Sequence, residues 1–157
     1  MMRHTVTVPV KKLDKGLDLP AYAYAGDAGL DLRAAEDVVL RPFERKAVSC
    51  GIALAIPEGH AGLVLPRSGL ALKHGITVAN SPGLIDSNYR GEIKAILANM
   101  DAREEFQVVR GDRIAQLVII EVPCTNLAEV DDLDDTVRGD GGFGSSGVRA
   151  QEGDLSE

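Results

Sequence analysis

Val48-Ser49-Cys50-Gly51-Ile52-Ala53-Leu54-Ala55-Ile56 is the stretch on which the fold turns. Successive side chains of a strand alternate between its faces. Val48, Cys50, Ile52, Leu54 and Ile56 therefore point one way, and Ser49, Gly51, Ala53 and Ala55 the other. Large side chains on one face and small ones on the other suit a strand packed on both sides, with something close against the small face. Pro57-Glu58-Gly59 turns the chain, and Ala61 to Leu65 returns it. Ile93 to Asn99 and Arg113 to Val122 read as further strands. The second is nearly all apolar and belongs at the centre of a sheet or at a subunit contact. Helical period is confined to Ser68 to His74, where Leu70, Ala71 and Leu72 follow a Ser cap and Gly75 ends the turn. The expected fold is all-β, a sandwich or barrel with one short helix.

Composition narrows the partners. A chain of 157 residues makes one domain and buries a core without staples. With 4% aromatic residues and no Trp, that core must be aliphatic. Lys+Arg 17 against Asp+Glu 24 leaves a net charge of −7, which argues against nucleic acid held by phosphate neutralisation. Cys50 and Cys124 are expected as two buried or half-buried thiols. Met1 to Leu13 has no apolar run of signal length, and no stretch approaches the ~18 apolar residues of a membrane span. The expected compartment is the cytoplasm, without membrane attachment. Residues 1–130 read as the β-sandwich core. The Gly- and Ser-rich residues 131–147 read as a flexible arm, and 148–157 as a disordered tail.

Five short stretches carry chemistry. Asp27-Ala28-Gly29-Leu30-Asp31-Leu32 sets two carboxylates four apart around a glycine. Pro66-Arg67-Ser68-Gly69-Leu70-Ala71 puts a guanidinium and a hydroxyl where a helix begins, beside amides with no helical acceptor, which together suit an anion. Asn80 to Glu92 is a Gly- and Pro-rich connection between strands holding Asp86 and Tyr89. Gly111 to Leu117 embeds Arg113 and Gln116 in an apolar strand, where each needs a partner. The last, Arg138 to Gly147, spells G-x-G-x-x-G at Gly142 to Gly147, but no strand precedes it and no helix follows, so the dinucleotide reading fails. An arm with Arg138 and Phe143 at its centre suits closure over a ligand, Phe stacking on a base and Arg with amides holding phosphate. Two Arg-Gly-Asp triplets, at Arg110 and Arg138, invite an adhesion reading that an acidic chain of this type does not support. P-loop, H-E-x-x-H, CxxC and G-x-S-x-G signatures are absent, and His4, His60 and His74 lack metal-ligand spacing. Water is then the expected nucleophile and a carboxylate the base.

Together and in this order, the five stretches resemble the signature motifs of the trimeric dUTPase family, from about Val6 to Gly147. The resemblance implies a jelly-roll-like β-sandwich and a threefold homotrimer whose active sites draw on several subunits. It implies dUTP as substrate, cut to dUMP and pyrophosphate. On this chain it assigns Asp86 to activating the water, and Tyr89 to packing under the deoxyribose. Asn80, Gly83, Leu84 and Ile85, with Lys94 nearby, would read uracil. Arg67, Ser68, Gly69 and Gln116 would hold the triphosphate, with Arg113 a buried contact between motifs. Asp31 would accept hydrogen bonds from water on Mg²⁺, itself ligated by phosphate oxygens. Arg138, Phe143, Gly144, Ser145 and Ser146 would form a lid. Two rivals remain. A dCTP deaminase on the same fold needs a glutamate on the strand after the Asp86 hairpin, where the matching position is Ile96. A non-catalytic nucleotide sensor is the other.

Overall fold

The structure is a computed structural model, and it describes residues 5–142. The chain divides into two compact units, 1–124 and 125–157. Among the described residues the first holds ten strands and one helix: β1 (Val10–Lys12), β2 (Leu30–Arg33), β3 (Val38–Leu40), β4 (Arg45–Leu54), β5 (His60–Leu65), α1 (Ser68–His74), β6 (Ile76–Val78), β7 (Gly83–Ile85), β8 (Glu92–Asn99), β9 (Phe106–Val108) and β10 (Arg113–Glu121). They form two four-stranded antiparallel sheets, β1-β4-β8-β6 and β2-β10-β5-β7, and a small β3-β9 ribbon. This is the all-β, jelly-roll-like sandwich with one short helix that was expected.

One apolar core joins the sheets. Val48, Cys50, Ile52 and Leu54 of β4 and Ile93, Ala95 and Leu97 of β8 cluster with Leu32, Val64, Ile85, Ala115 and Leu117 from the second sheet. Burying a Val, Leu or Ile contributes about 1.5–3 kcal/mol, so aliphatic side chains suffice, and among the described residues no aromatic is fully buried. The one buried polar side chain named among these residues, Asn99, is satisfied: Nδ2 donates to the carbonyls of Leu40 (3.0 Å) and Glu104 (2.8 Å), and Oδ1 accepts Asp101 N–H.

The deciding strand holds a surprise. Between Ser49↔Lys94 and Ala53↔Glu92 the β4–β8 register slips, so three β4 residues face the single Ile93. Two extra residues preserve the alternation on either side of this bulge. Gly51 sits within it at φ 66°, a left-handed value that favours glycine. A Cβ there would lie 2.8 Å from Cβ of Asp14 and 3.1 Å from that of Ala35, which are what presses on the small face.

Three expectations need correction. Ser68 is not a side-chain cap: Arg67 occupies the N-cap position, no side-chain cap bond is made, and Gly75 closes the helix at φ 64°. Asp86 and Tyr89 do not lie in a hairpin, because β7 pairs with β5 while β8 pairs with β4 and β6. Their loop crosses from one sheet to the other. Cys50 is buried but Cys124 is exposed.

In the second unit, described residues 125–142 contain no helix or strand. Gly139 N–H donates to Thr136, and Nε of Arg138 to the carbonyl of Gly141 at 2.8 Å. Among the described residues no helix is long and apolar enough to cross a membrane.

Candidate active site

Three of the five stretches meet at one end of the β2-β10-β5 ladder. Gln116 of β10 is paired with Asp31 on one side and Leu65 on the other, and Leu65 leads into Pro66 and Arg67. Asp31 lies between two guanidiniums, Oδ1 at 3.2 Å from Nε of Arg67 and Oδ2 at 3.2 Å from Nη1 of Arg113. Nη1 of Arg67 also donates to the Arg113 carbonyl at 2.9 Å. One ion pair and one hydrogen bond thus hold the Arg67 guanidinium, whose planar shape makes its remaining N–H groups oriented donors. Arg113 does join motifs, but it is not buried: its side chain is 44% exposed, because its β10 position precedes the register shift and faces the pocket.

Gln116 donates from Nε2 to the Pro66 carbonyl at 2.9 Å. A Cβ on Gly29 would fall 2.5 Å from its Oε1, so the first motif needs glycine to let the fourth lie against it. Ser68, released from capping, and Gly69 complete the wall. A Cβ at Gly69 would meet no protein atom within 4 Å, so what that glycine leaves open is the pocket itself. The cavity is about 430 Å³, and Tyr24 and Asp27 also line it. Asp27 accepts Tyr24 N–H at 2.9 Å, a local turn the sequence does not advertise. Two arginines and two aspartates balance here, in a chain of net charge −7. The pocket is suited to anionic oxygens.

A metal has a narrow fit. No group of three or more His, Cys, Asp or Glu residues among those described could hold one. Asp31 offers a single carboxylate, ion-paired with Arg67 through Oδ1 and accepting from Arg113 at Oδ2, leaving lone pairs for water but no cage. Such a donor set fits a cation carried by the ligand and touched only through its water.

The third stretch builds a different pocket of about 310 Å³, lined by Ala47, Leu84, Ile85, Asp86, Tyr89, Glu92, Ile93, Lys94 and Ile96. Its floor is the edge strand β7, held to β5 through Gly83↔Val64, Leu84↔Leu63 and Ile85↔Gly62. An edge strand presents backbone donors and acceptors on its outer side. Asn80 packs its amide against Gly83, beyond a cis Ser81–Pro82 bond. Tyr89 lies back over Gly91, where any Cβ would enter its ring, and its hydroxyl donates to the Glu92 carbonyl at 3.0 Å. Asp86 is exposed and borders both this pocket and a wider groove of about 1090 Å³ that runs past His60 and Arg90.

The two pockets share no lining residue. β2 and β7 are the opposite edges of one four-stranded sheet, and three strand spacings separate them by roughly 14 Å. Asp31, Arg67, Ser68, Gly69 and Gln116 come together, as do Leu84, Ile85, Asp86, Tyr89 and Lys94, but the two sets do not; Gly83 precedes Leu84 on β7 without lining the pocket. Arg138 lies in the separate second unit. Phe143, Gly144, Ser145 and Ser146 fall outside the described residues. Sequence reading passed over Glu92, whose only local signal is its place between Gly91 and a strand.

The family model described as dUTPase matches residues 15–147. The chain is 56% identical over 146 residues to the deoxyuridine 5'-triphosphate nucleotidohydrolase of Thermobifida fusca, covering 93% of this chain and 82% of that one. It is 51% identical to the same-named protein of Zymomonas mobilis, covering 91% and 99%. Among solved structures it is similar to the dUTPase of Staphylococcus bacteriophage 80alpha with dUpNHpp, with TM-score 0.83, 32% identity and coverage of 92% and 100%. It is also similar to a mutant dUTPase from phage phi11 of S. aureus, described with a structural Mg(II) ion, at TM-score 0.76, 27% identity and coverage of 83% and 100%.

Proposed function

The chain belongs to the dUTPase family, and from that premise we propose that it hydrolyses dUTP to dUMP and pyrophosphate. The reaction limits uracil incorporation into DNA and supplies dUMP for dTMP synthesis, in the cytoplasm. The observation that carries this reading is the pocket of about 430 Å³ where Asp31, Arg67, Ser68, Gly69 and Gln116 converge, its hydroxyl, amide and guanidinium groups suited to phosphate oxygens.

Arg67, Ser68, Gly69 and Gln116 hold the triphosphate, with Arg67 pre-aligned by its ion pair and hydrogen bond. Mg²⁺ on the phosphate oxygens would neutralise their charge, and Asp31 would accept hydrogen bonds from its water. The outer edge of β7 reads uracil through backbone groups of Gly83, Leu84 and Ile85, with Asn80 bracing Gly83 and Lys94 on the facing strand. A base edge seated against main chain leaves no room for a 5-methyl group, so thymine is rejected by a clash. Tyr89, fastened by its hydroxyl, packs under the deoxyribose and excludes a 2′-hydroxyl. Asp86 takes a proton from water that attacks the α-phosphorus in line, and pyrophosphate leaves. Arg138, Phe143, Gly144, Ser145 and Ser146 close over the bound nucleotide, Phe143 on uracil and Arg138 toward the γ-phosphate.

Within one copy the Arg67 and Tyr89 pockets share no lining residue. The site is therefore shared, the Arg67 pocket of one subunit facing the Tyr89 pocket of the next in a homotrimer. An apolar row supports such contact. Val118, Leu63 and Leu84 stand directly opposite one another on three adjacent strands, all partly or fully exposed in the lone chain. Pyrophosphate release from dUTP, dCTP and dTTP, measured in parallel, tests the activity. Rapid cleavage of dUTP alone is expected, and equal cleavage of all three, or of none, contradicts it.

A further inference from the structure

Glu92 has no part in the scheme above, yet three parts of the Tyr89 pocket meet on it. Its carbonyl accepts the Tyr89 hydroxyl at 3.0 Å. Oε2 lies 4.0 Å from Nζ of Lys94. Oε1 is seated in the β4 bulge, where it accepts the Ser49 hydroxyl and the Gly51 N–H, the latter at 3.2 Å. The bulge interrupts the β4–β8 ladder between Ser49 and Ala53. A backbone N–H in such a gap needs an acceptor, and the Glu92 carboxylate supplies it for Gly51.

The consequence reaches the sugar. Tyr89 has two side-chain torsions, and its ring is held at one end by the loop and at the other by the Glu92 main chain. Gly91 lets the ring lie flat across the turn. Where the Glu92 main chain stands, and so where the ring stands, depends on the carboxylate that pins the start of β8 into the bulge.

We propose that Glu92 is a positioning residue for sugar selection, its carboxylate in the β4 bulge setting the height of the Tyr89 ring and thereby the exclusion of a 2′-hydroxyl. The inference rests on the dUTP-cleaving reading and on Tyr89 as the sugar platform. Its test compares kcat/KM for dUTP and UTP in the wild type, Glu92→Ala, Glu92→Gln and Ser49→Ala. Glu92→Ala lowers the dUTP/UTP ratio by about tenfold or more. Glu92→Gln, whose amide oxygen accepts from the same two donors, recovers most of it, and Ser49→Ala lowers it a few-fold. A merely structural role depresses both substrates alike and leaves the ratio where it was. An active Glu92→Ala with the wild-type ratio overturns the inference. If Glu92→Ala does not fold, an unchanged ratio in Ser49→Ala overturns it instead. A wild type that discriminates dUTP from UTP separates this failure from that of the activity, since a wild type that leaves dUTP intact overturns both.

Discussion

The two pockets differ in what holds them. The Arg67 pocket is a lattice of side chains that satisfy each other, Asp31 between Arg67 and Arg113 and Gln116 on the Pro66 carbonyl. The Tyr89 pocket is walled by Leu84, Ile85, Ile93 and Ile96 and floored by an unpaired strand edge, with its acid exposed at the mouth. One is suited to charge, with little demand on shape. The other is suited to shape, with Asp86 at its mouth. A triphosphate and a base ask for those two properties, and the sandwich displays them in two separate pockets.

That contrast predicts unequal effects of mutation. Asp86→Asn, on the reactive side, lowers kcat by about 10²–10⁴ with KM nearly unchanged, as read by pyrophosphate release. Arg67→Ala, on the charge side, lowers kcat/KM by about 10–10², the worth of one or two charge-assisted hydrogen bonds, with KM rising. An Arg67→Ala enzyme that changed only kcat would erase the distinction. Gly29→Ala is milder. Its new Cβ displaces Gln116 from the Pro66 carbonyl, raises KM a few-fold and costs about 1 kcal/mol in urea unfolding, while the Tyr89 side is untouched.

Cys50 gives the smallest effect and reports on the β4 bulge beneath the Tyr89 pocket. Burial pushes its thiol up to about 12, with a smaller contribution from the Glu92 charge. The unfolded thiol ionises from about pH 9 and the native one does not, so the unfolded state loses its proton first and stability falls as pH rises from 9 toward 12. Cys50→Ala flattens that fall. With a thiol reagent at pH 8, Cys124 reacts at once and Cys50 only after denaturation.

Much of this was legible in the sequence because strand alternation and glycine punctuation are local signals. Val48 to Ile56 reads as a strand where β4 runs Arg45–Leu54, and Ser68 to His74 is the helix. What was not legible depended on pairing. The two extra residues at Gly51 keep the alternation intact, so no periodicity marks the bulge. Asp86 and Tyr89 look like a hairpin because the loop between their flanking strands is short, yet those strands belong to different sheets. Arg113 in an apolar run reads as buried, but the register shift beside it turns it to the pocket, where Asp31 holds it. Glu92 gains its place only from Ser49 and Gly51, some forty residues earlier.

Whether the two pockets complete each other across subunits is tested most directly by mixing two broken proteins. Asp86→Asn and Arg67→Ala subunits, each lowered about tenfold or more in kcat/KM alone, are co-expressed in equal amounts and assayed on dUTP well below KM. Random assembly leaves about a quarter of the shared sites with both residues intact, so about a quarter of wild-type activity returns. Activity no higher than the average of the two separate variants would mean that each chain carries its own complete site.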